Sequence, residues 1–361
     1  MQSEKRNRKI LVLCPYPTDC APGQRLKFEQ YFDNWRANGF EVEISPFMSE
    51  KMQKIVYKKG HLLAKTVGTI GGYLRRCKDI LRVRQYDIVY IFLWITPFGR
   101  PFMEWIIRAR AKKMIYDIDD LVYMSKTSRY NSFIRFLKSA SKINFLIKSS
   151  DHVLVSTDEL KSYSAKLNKN LSMIPATIDV KKYLYPHNQQ SDKVVIGWSG
   201  SQTTSKYLHL IDDVLRYLVS NYNVKIMVMG DDDFVVDGID IELLHWSAED
   251  EIRNLQQFDI GLHPLPDEKW AYGKSGGKLV QYMAAGIPIV ATALGPNFKV
   301  IENGYNGFLV RSEQEWIDQL VLLITDQALR KRMGENARKF AEQNSSVEAN
   351  AGKYLAVFNL L

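Results

Sequence analysis

Short apolar runs alternate with stretches of helical periodicity along most of the chain. The runs form two series of six, and residues 175–192 between the series have the composition of a linker. Such alternation is typical of βα units around parallel sheets. The predicted strands are 10–13, 42–45, 88–93, 113–118, 153–156 and 172–174 in the first series, and 194–198, 225–229, 241–244, 260–263, 289–293 and 307–310 in the second. The pattern therefore predicts an α/β protein with two domains.

A helical pattern fills the chain after Arg311, and 361 residues suit two domains. We place the domains at 1–180 and 181–340, with 341–361 as a final helical segment. Tyr354, Val357, Phe358 and Leu361 have the spacing of a buried stripe on its last helix.

Composition is that of a globular protein, with 46% hydrophobic and 25% charged residues. The polar start of the chain has no signal-peptide pattern, and the apolar run 88–99 is too short to cross a bilayer as a helix. Cys14, Cys20 and Cys77 are odd in number and lack metal-site spacing. These features together predict a cytoplasmic protein with reduced thiols.

The net charge of +9 is concentrated between Lys51 and Arg84, where ten basic residues accompany one acid, Asp79. Apolar residues are interleaved with them, which predicts one or two amphipathic helices, broken near Gly71 and Gly72. A basic amphipathic helix suits an anionic membrane surface. A solvated helix on an α/β domain explains the pattern equally well. Nucleic acid is disfavoured because the stretch has few aromatic residues for stacking.

The stretch from Trp270 to Thr292 reads W-A-Y-G-K-S-G-G-K-L-V-Q-Y-M-A-A-G-I-P-I-V-A-T and predicts a loop, a short helix and a buried strand. Small residues before the helix let its first backbone N–H groups approach an anion. The candidate phosphate cradle comprises Lys274, Ser275, Gly276, Gly277 and Lys278. An ordinary turn is the alternative interpretation.

Further polar residues follow predicted strands, where open α/β sheets bind ligands. They are Gly23 and Arg25, before a helix expected near Leu26; Asp117, Asp119 and Asp120; Ser199, Gly200, Ser201 and Lys206; and His245 and Trp246. Each group has a structural alternative, such as helix capping by the aspartates. Ser247 with Asp250 predicts a cap for the following helix.

The Trp270–Thr292 stretch resembles glycosyltransferase family 4, the retaining, nucleotide-sugar-dependent enzymes with the GT-B fold. That resemblance implies two Rossmann-like domains facing across a cleft, with the last helix crossing back to the first domain. Many members carry two glutamates with seven residues between them, where this chain has Gly273 and Gln281. A subset with K-x-x-x-K-L-x-Q-Y-M-A-A-G matches this chain better.

The resemblance also implies roles for these residues. Lys206 and Lys278 would neutralise the departing diphosphate, and the strand-end glycines and serines would hold it. The base would lie at His245 and Trp246, Gln281 would bond the ribose, and Asp119 and Asp120 would face the acceptor. No cofactor or metal is expected, so Asp231, Asp232 and Asp233 are interpreted as a solvated turn.

The predicted enzyme transfers a sugar from a nucleoside-diphosphate sugar to a hydroxyl, with retention of configuration. We expect a glycan or lipid-linked acceptor, in synthesis of a bacterial surface polysaccharide, and a peripheral position on the inner face of the cell membrane. Two alternatives remain: a GT-B sugar-nucleotide 2-epimerase or hydrolase, and a catalytically inert partner of another transferase.

Overall fold

A computed structural model describes residues 7–56, 58, 60–119, 140–183, 192–274 and 276–361. Its strands form two six-stranded sheets. The first contains β1 (Arg8–Cys14), β2 (Phe40–Pro46), β3 (Ile88–Phe92), β4 (Met114–Ile118), β5 (His152–Val155) and β6 (Leu171–Met173). The second contains β7 (Val194–Ser199), β8 (Val224–Met229), β9 (Ile241–Leu244), β10 (Ile260–His263), β11 (Ile289–Thr292) and β12 (Gly307–Val310). All twelve strands lie where the apolar runs predict them, within one or two residues.

The first sheet is parallel throughout, in the order β2-β1-β3-β4-β5-β6. Its central strands are buried on both faces, which explains why they read as continuous apolar runs instead of alternating ones. The strand order reverses between β1 and β3. Loops leaving the carboxyl ends of these two strands diverge, and the resulting crevice is the ligand position of doubly wound folds.

The second sheet is also parallel, in the order β12-β11-β10-β7-β8-β9. The reversal here lies between β7 and β10. Gly197 of β7 faces Phe258, and a Cβ at this glycine would lie 2.0 Å from the Phe258 ring. The predicted fold class, α/β with two parallel sheets, is confirmed.

Helices flank both sheets. Among the described residues, those before residue 177 are Pro22–Arg25, Phe32–Ala37, Glu50–Val56, Leu62–Arg82, Phe102–Arg110, Ala140–Ser149 and Asp158–Ser164; those after it are Asp212–Asn221, Glu251–Leu255, Gly277–Ala284, Asn297–Val300, Glu313–Thr325, Gln327–Phe340 and Val347–Leu360. Within the residues that the structure describes, no helix is both long and apolar enough to cross a bilayer.

The chain divides into two compact units. Unit 1 comprises Met1–Ala176, Gly273–Ser275 and Asn350–Leu361, and unit 2 comprises Thr177–Tyr272 and Gly276–Ala349. The end of the last helix thus belongs with the first sheet. Tyr354 and Phe358 pack against Trp35, with ring centroids 5.3 and 4.8 Å away, and both are fully buried. The stripe predicted for this helix is confirmed, except that Leu361 is only half-buried.

The expected helix break at Gly71 and Gly72 is wrong, because one helix runs from Leu62 to Arg82. The break lies before it, where Gly60 and His61 have φ values of +76° and +57°. Gly72 instead serves packing, since a Cβ there would lie 2.6 Å from the Phe47 ring.

The first strand-end loop also differs from expectation. A single helical turn, Pro22–Arg25, already contains Gly23 and Arg25, whereas the sequence predicted a helix beginning near Leu26. Pro22 explains the earlier start, because its fixed φ favours the first position of a helix.

Candidate active site

The phosphate cradle lies at the strand-order reversal of the second sheet. The helix Gly277–Ala284, named here the cradle helix, follows β10 and the short 3₁₀ helix Lys269–Gly273. Gly276 precedes it with φ +73°, a left-handed conformation that favours glycine. Leu279, Met283 and Ala284 are fully buried, so the helix is fixed by its packing, while its first N–H groups lack partners within the helix.

A hydrogen bond ties the cradle helix to β7. The backbone N–H of Ser199 donates to the Tyr282 hydroxyl over 2.7 Å. Tyr282 is fully buried, and burial raises its pKa well above the ordinary value, so its hydroxyl stays neutral. The two elements that meet at the reversal therefore hold a fixed relative position.

Lys278 is the cation at the centre of this site. Its Nζ lies 4.3 Å from the centroid of the Trp198 ring and donates to Thr204 Oγ1 over 3.3 Å. A Cβ on Gly200 would lie 2.6 Å from that Nζ and 2.1 Å from Trp198. Gly200 is therefore the residue that leaves room for the ammonium group above the indole ring.

Hydroxyl groups close the loop that follows β7. The Ser201 N–H donates to Thr204 Oγ1 over 3.1 Å, and Ser201 Oγ lies 2.9 Å from Thr203 Oγ1. Ser201 and Thr203 are exposed. Lys206 is the second residue of the next 3₁₀ helix, Ser205–Ile211, where its exposed ammonium lies 5.0 Å from the Tyr207 ring centroid.

The loops after β7, β8 and β9 approach one another at glycines. Gly230, with φ +95°, lies so close to the Gly200 carbonyl that a Cβ would be 2.1 Å from its oxygen. The same Cβ position is 3.7 Å from Trp246 Cβ. This arrangement brings the predicted base-binding residue Trp246 near Gly200.

The side chains of the His245–Trp246 turn have structural partners. His245 Nδ1 lies 2.8 Å from Asp232 Oδ2, and Trp246 Nε1 donates to Glu251 over 2.8 Å. The Asp250 N–H donates to Ser247 Oγ over 3.0 Å as predicted, but this bond closes the turn before the helix Glu251–Leu255, whose N-cap residue is Asp250.

The interpretation of Asp231, Asp232 and Asp233 as a solvated turn requires one correction. Asp231 is buried, accepts a 2.5 Å hydrogen bond from Ser205 Oγ and accepts another from the Asp233 N–H. These bonds make Asp231 a structural residue of the turn. Across the described part of the chain, no group of three or more His, Cys, Asp or Glu side chains could hold a metal ion.

Gln281 lies one turn into the cradle helix and is buried. Its Nε2 donates no hydrogen bond to any described residue. A buried amide group without a partner costs about 1–3 kcal/mol, so a ligand hydroxyl at this position would satisfy it. Lys274 is half-buried, and Ser275 lies outside the described residues.

In unit 1, Gly23 and Asp119 lie side by side at the strand ends. A Cβ on Gly23 would be 3.7 Å from Asp119 Oδ2, and the Asp119 carbonyl accepts a 3.1 Å hydrogen bond from Ser156 Oγ. Arg25 is half-buried in the same helical turn as Gly23. Asp120 lies outside the described residues.

Asp117 belongs to the interior of unit 1, although the sequence grouped it with Asp119. Asp117 is a buried residue within β4. Its Oδ1 lies 3.4 Å from Lys27 Nζ, and its carboxylate accepts a hydrogen bond from the Tyr90 hydroxyl. Burial raises the pKa of Asp117, while Lys27 and the Tyr90 hydrogen bond oppose that shift. Asp117 is therefore a structural residue.

Two residues important for the site's geometry were missed by sequence reasoning. Tyr282 follows the noted Gln281 but reads as one more core position of an apolar helix. Arg76 is hidden within a basic run, yet it is fully buried. Its guanidinium donates to the carbonyls of Cys14, Ser45 and Ile95, at the ends of β1 and β2 and beyond β3.

Comparisons with known proteins agree with this geometry. Residues 193–326 match the family model described as "Glycosyl transferases group 1". The chain is 24% identical over 259 residues to N-acetyl-alpha-D-glucosaminyl L-malate synthase of Bacillus anthracis, covering 66% of this chain and 65% of that protein. It is 25% identical over 310 residues to the capsular polysaccharide biosynthesis glycosyltransferase CapM of Staphylococcus aureus, covering 82% and 74%.

A solved structure shares the fold over nearly the whole chain. It is Anabaena HepE in complex with UDP-glucose, with a TM-score of 0.67 and 17% identity, covering 98% of this chain and all of that one. Two parallel sheets of this kind define the GT-B class. The part of unit 2 from residue 193 to 326 thus matches the glycosyl transferases group 1 model, and the chain as a whole has the GT-B fold and is similar to proteins named as glycosyltransferases.

Proposed function

We propose that this protein transfers a sugar from a nucleoside-diphosphate sugar to an acceptor hydroxyl, with retention of configuration, as in family 4. The observation that carries the proposal is the meeting of Lys278, Trp198 and Gly200 at the strand-order reversal of the second sheet. An ammonium group at the second residue of the cradle helix, together with the free N–H groups of the helix N-terminus, would suit a diphosphate.

The leaving group explains why these charges would promote transfer. As the sugar–phosphate bond breaks, negative charge develops on the diphosphate oxygens. Lys278 and the N–H groups at Gly276 and Gly277 would stabilise that charge, and exposed Lys206 would supply a second cation. The acceptor would attack from the face that the nucleotide leaves, so no enzymatic nucleophile is required. We propose donor binding without a metal ion or cofactor.

Other residues would position the donor and acceptor. The backbone at His245 and Trp246 would read the base, and the Gln281 Nε2 group, which has no hydrogen-bond partner among the described residues, would bond a ribose hydroxyl. Hydroxyl groups of the Ser201–Thr204 loop suit phosphate oxygens. In unit 1, Asp119, with Gly23 and Arg25 beside it, would orient the acceptor hydroxyl.

For the acceptor we propose a glycan or lipid-linked glycan of a bacterial surface polysaccharide. CapM, the relative with the larger coverage, is named for capsular polysaccharide biosynthesis. We further propose that the enzyme works at the cytoplasmic membrane surface, through the segment Lys51–Arg84.

Titration calorimetry with UDP, GDP, ADP and their glucose conjugates tests donor binding and identifies the base. For the best nucleotide, Lys278→Ala should weaken binding about 10- to 100-fold, because a hydrogen bond to a charged group contributes about 1.5–3 kcal/mol. Lys331→Ala, an exposed lysine on another helix of unit 2, should leave the affinity unchanged.

Binding of none of these nucleotides, or equal affinity of wild type and Lys278→Ala, would contradict the proposed site. Rapid donor turnover without an acceptor, releasing an epimer or free sugar, would instead indicate a 2-epimerase or hydrolase.

A further inference from the structure

The helix Leu62–Arg82 carries an apolar stripe on its exposed side. Its members are separated by four, three, four, three and four residues, so they lie on one face over nearly the whole helix. They are Leu63, Val67, Ile70, Leu74, Cys77 and Leu81. The five aliphatic side chains are 54–84% exposed, and Cys77 is exposed as well. An apolar surface this continuous marks an interaction site.

The opposite side of the same helix already has its core contacts. Gly68 packs against Met52 and Gly72 against Phe47, and the Arg76 guanidinium is fully buried. The exposed stripe is therefore an additional surface, since the helix does not need it to attach to unit 1.

A neighbouring helix extends the apolar surface with aromatic residues. Phe102–Arg110 contacts the helix Leu62–Arg82, and the Tyr73 hydroxyl donates to the Phe98 carbonyl just before it. Phe102 and Trp105, three residues apart, are 68% and 60% exposed. Large aromatic side chains of this kind are enriched where proteins meet the membrane–water interface.

The structure separates the basic residues of this region into two groups. Some are used internally: Arg76 and Arg82 pair with Asp79, and Arg75 donates to the carbonyls of Pro46 and Phe47. Others project into solvent, namely Lys51, Lys54, Lys58, Lys78 and Arg84. Asp79, the sole acid between Lys51 and Arg84, is buried. The outer surface is accordingly apolar and positively charged.

We propose that this surface docks on an anionic phospholipid bilayer, with the stripe entering the interface and the five exposed cations binding lipid phosphates. Charge argues for lipid over a second copy of the chain, because two such faces would repel. The apolar stripe argues for lipid over nucleic acid, whose phosphates give aliphatic side chains no partner.

The docking surface is linked to the acceptor side of the site. Arg76 joins the helix to the carbonyls at the ends of β1 and β2 and beyond β3, where the sheet order reverses. Docking would thus bring those strand ends close to the bilayer. This step rests on the proposed function, since it implies an acceptor carried on a lipid.

Flotation of the full chain with vesicles tests docking. Vesicles with roughly one third phosphatidylglycerol in phosphatidylcholine should bind the wild type, and pure phosphatidylcholine should bind it far less. The variant Leu63→Asn/Leu74→Asn should lose about tenfold or more of the binding. Leu322→Asn/Leu360→Asn, matched in chemistry and also exposed, should bind like the wild type.

Equal binding of the stripe variant and the wild type, or no binding of the wild type to anionic vesicles, would overturn the proposal. Sedimentation of the lipid-free protein tests whether a second copy of the chain covers the stripe instead of lipid. A dimer that becomes monomeric in the stripe variant alone would show that a second copy covers the stripe, and would overturn the proposal too.

Thiol labelling provides a test that needs no variant. Cys77 lies within the stripe, so anionic vesicles should slow its alkylation by a maleimide about tenfold or more, as read at the peptide level by mass spectrometry. Cys14 is buried, and burial raises its pKa to about 12, so it should stay unlabelled in either condition. Equal Cys77 labelling with and without vesicles would contradict bilayer docking.

Donor titrations separate this inference from the proposed function. The stripe variant should bind the nucleotide with wild-type affinity, because its substitutions lie in unit 1, on an exposed face. If the protein fails to float with vesicles but still binds the nucleotide, only the proposal of bilayer docking is contradicted. If the protein floats with vesicles but binds no nucleotide, the proposed function is contradicted.

Discussion

At the scale of single residues, Gly200 shows how a missing side chain makes a site. The Trp198 ring and the Lys278 ammonium both approach it closely because Gly200 lacks a Cβ, and its carbonyl approaches Gly230 because Gly230 lacks one. The sequence predicted Gly200 as a donor contact through backbone access. It could not predict that Gly200 also positions the Lys278 ammonium, because that requires knowing which helix returns to the end of β7.

We predict that Gly200→Ala weakens nucleotide binding by about tenfold or more. The new methyl would lie 2.1 Å from Trp198 and 2.6 Å from Lys278 Nζ, so the ring and the ammonium must both move. Overpacking of this kind also costs about 1–3 kcal/mol of stability, measurable by urea unfolding of the same sample.

Gly352→Ala is the control for Gly200→Ala. A Cβ there meets no atom within 4 Å, and the residue lies inside the helix Val347–Leu360. Alanine should raise stability there by up to about 1 kcal/mol and leave nucleotide affinity unchanged. Wild-type nucleotide affinity in Gly200→Ala would show that the lysine need not stand over the indole.

Arg76 is the second case at this scale, and its role could not be predicted from sequence. Ten basic residues lie close together along the chain, and nothing in their spacing distinguishes the buried one. In the structure its guanidinium pairs with Asp79 at 2.9 Å and donates to three backbone carbonyls. Burial lowers the pKa of Arg76, and Asp79 opposes the shift.

Arg76→Met should destabilise unit 1 by about 3–5 kcal/mol, because it leaves three buried carbonyls without their donor and removes one of the two arginines that pair with the buried Asp79 carboxylate. Arg76→Lys should restore little of this loss, since one ammonium group cannot reproduce the planar fork. Urea unfolding followed by fluorescence provides the measurement. Arg84→Met, which replaces an exposed arginine, should change stability by less than about 0.5 kcal/mol; a similar small effect of Arg76→Met would refute the structural role.

At the scale of elements, strands were far easier to predict than helix ends. Strands buried on both faces leave an unmistakable apolar run, and the two series of six were visible for that reason. Helix ends depend on local details that pattern alone does not contain. Pro22 starts a helix early, and a glycine pair that could break a helix is instead held inside one.

Adjacent glycines in the helix Leu62–Arg82 give a paired prediction. Gly72→Ala should cost about 1–3 kcal/mol, because its Cβ would lie 2.6 Å from the enclosed Phe47 ring. Gly71→Ala should stabilise the helix by up to about 1 kcal/mol, because a Cβ there meets no atom within 4 Å.

Thermal unfolding of both glycine variants, compared with the wild type, tests the pair. Effects of the same sign and size at the two positions would mean that helix propensity decides both, and that Gly72 does not serve packing. Opposite signs would show that packing requires glycine at position 72, whereas position 71 tolerates a side chain.

At the scale of the whole molecule, the end of the chain completes the first unit. Asn350–Leu361 belongs to unit 1 although the preceding residues, 276–349, belong to unit 2. The Tyr354 hydroxyl donates to the Lys27 carbonyl over 2.9 Å, and its ring packs on Tyr31 at 4.7 Å. The spacing of apolar residues predicted the buried stripe. The resemblance to GT-B enzymes implied that the last helix returns to the first domain.

Because of these contacts, Tyr354→Ala should destabilise unit 1 while unit 2 keeps its stability. Removing a fully buried aromatic ring costs about 3–5 kcal/mol. Calorimetry with and without the bound nucleotide separates the units, since a ligand that binds unit 2 raises the unfolding temperature of that unit. We expect Tyr354→Ala to lower the transition that the nucleotide does not move, whereas Leu360→Ala, at a 73% exposed position, leaves both transitions in place. If the nucleotide-sensitive transition fell instead, the last helix would be stabilising unit 2, and its contacts with Lys27 and Tyr31 would be secondary.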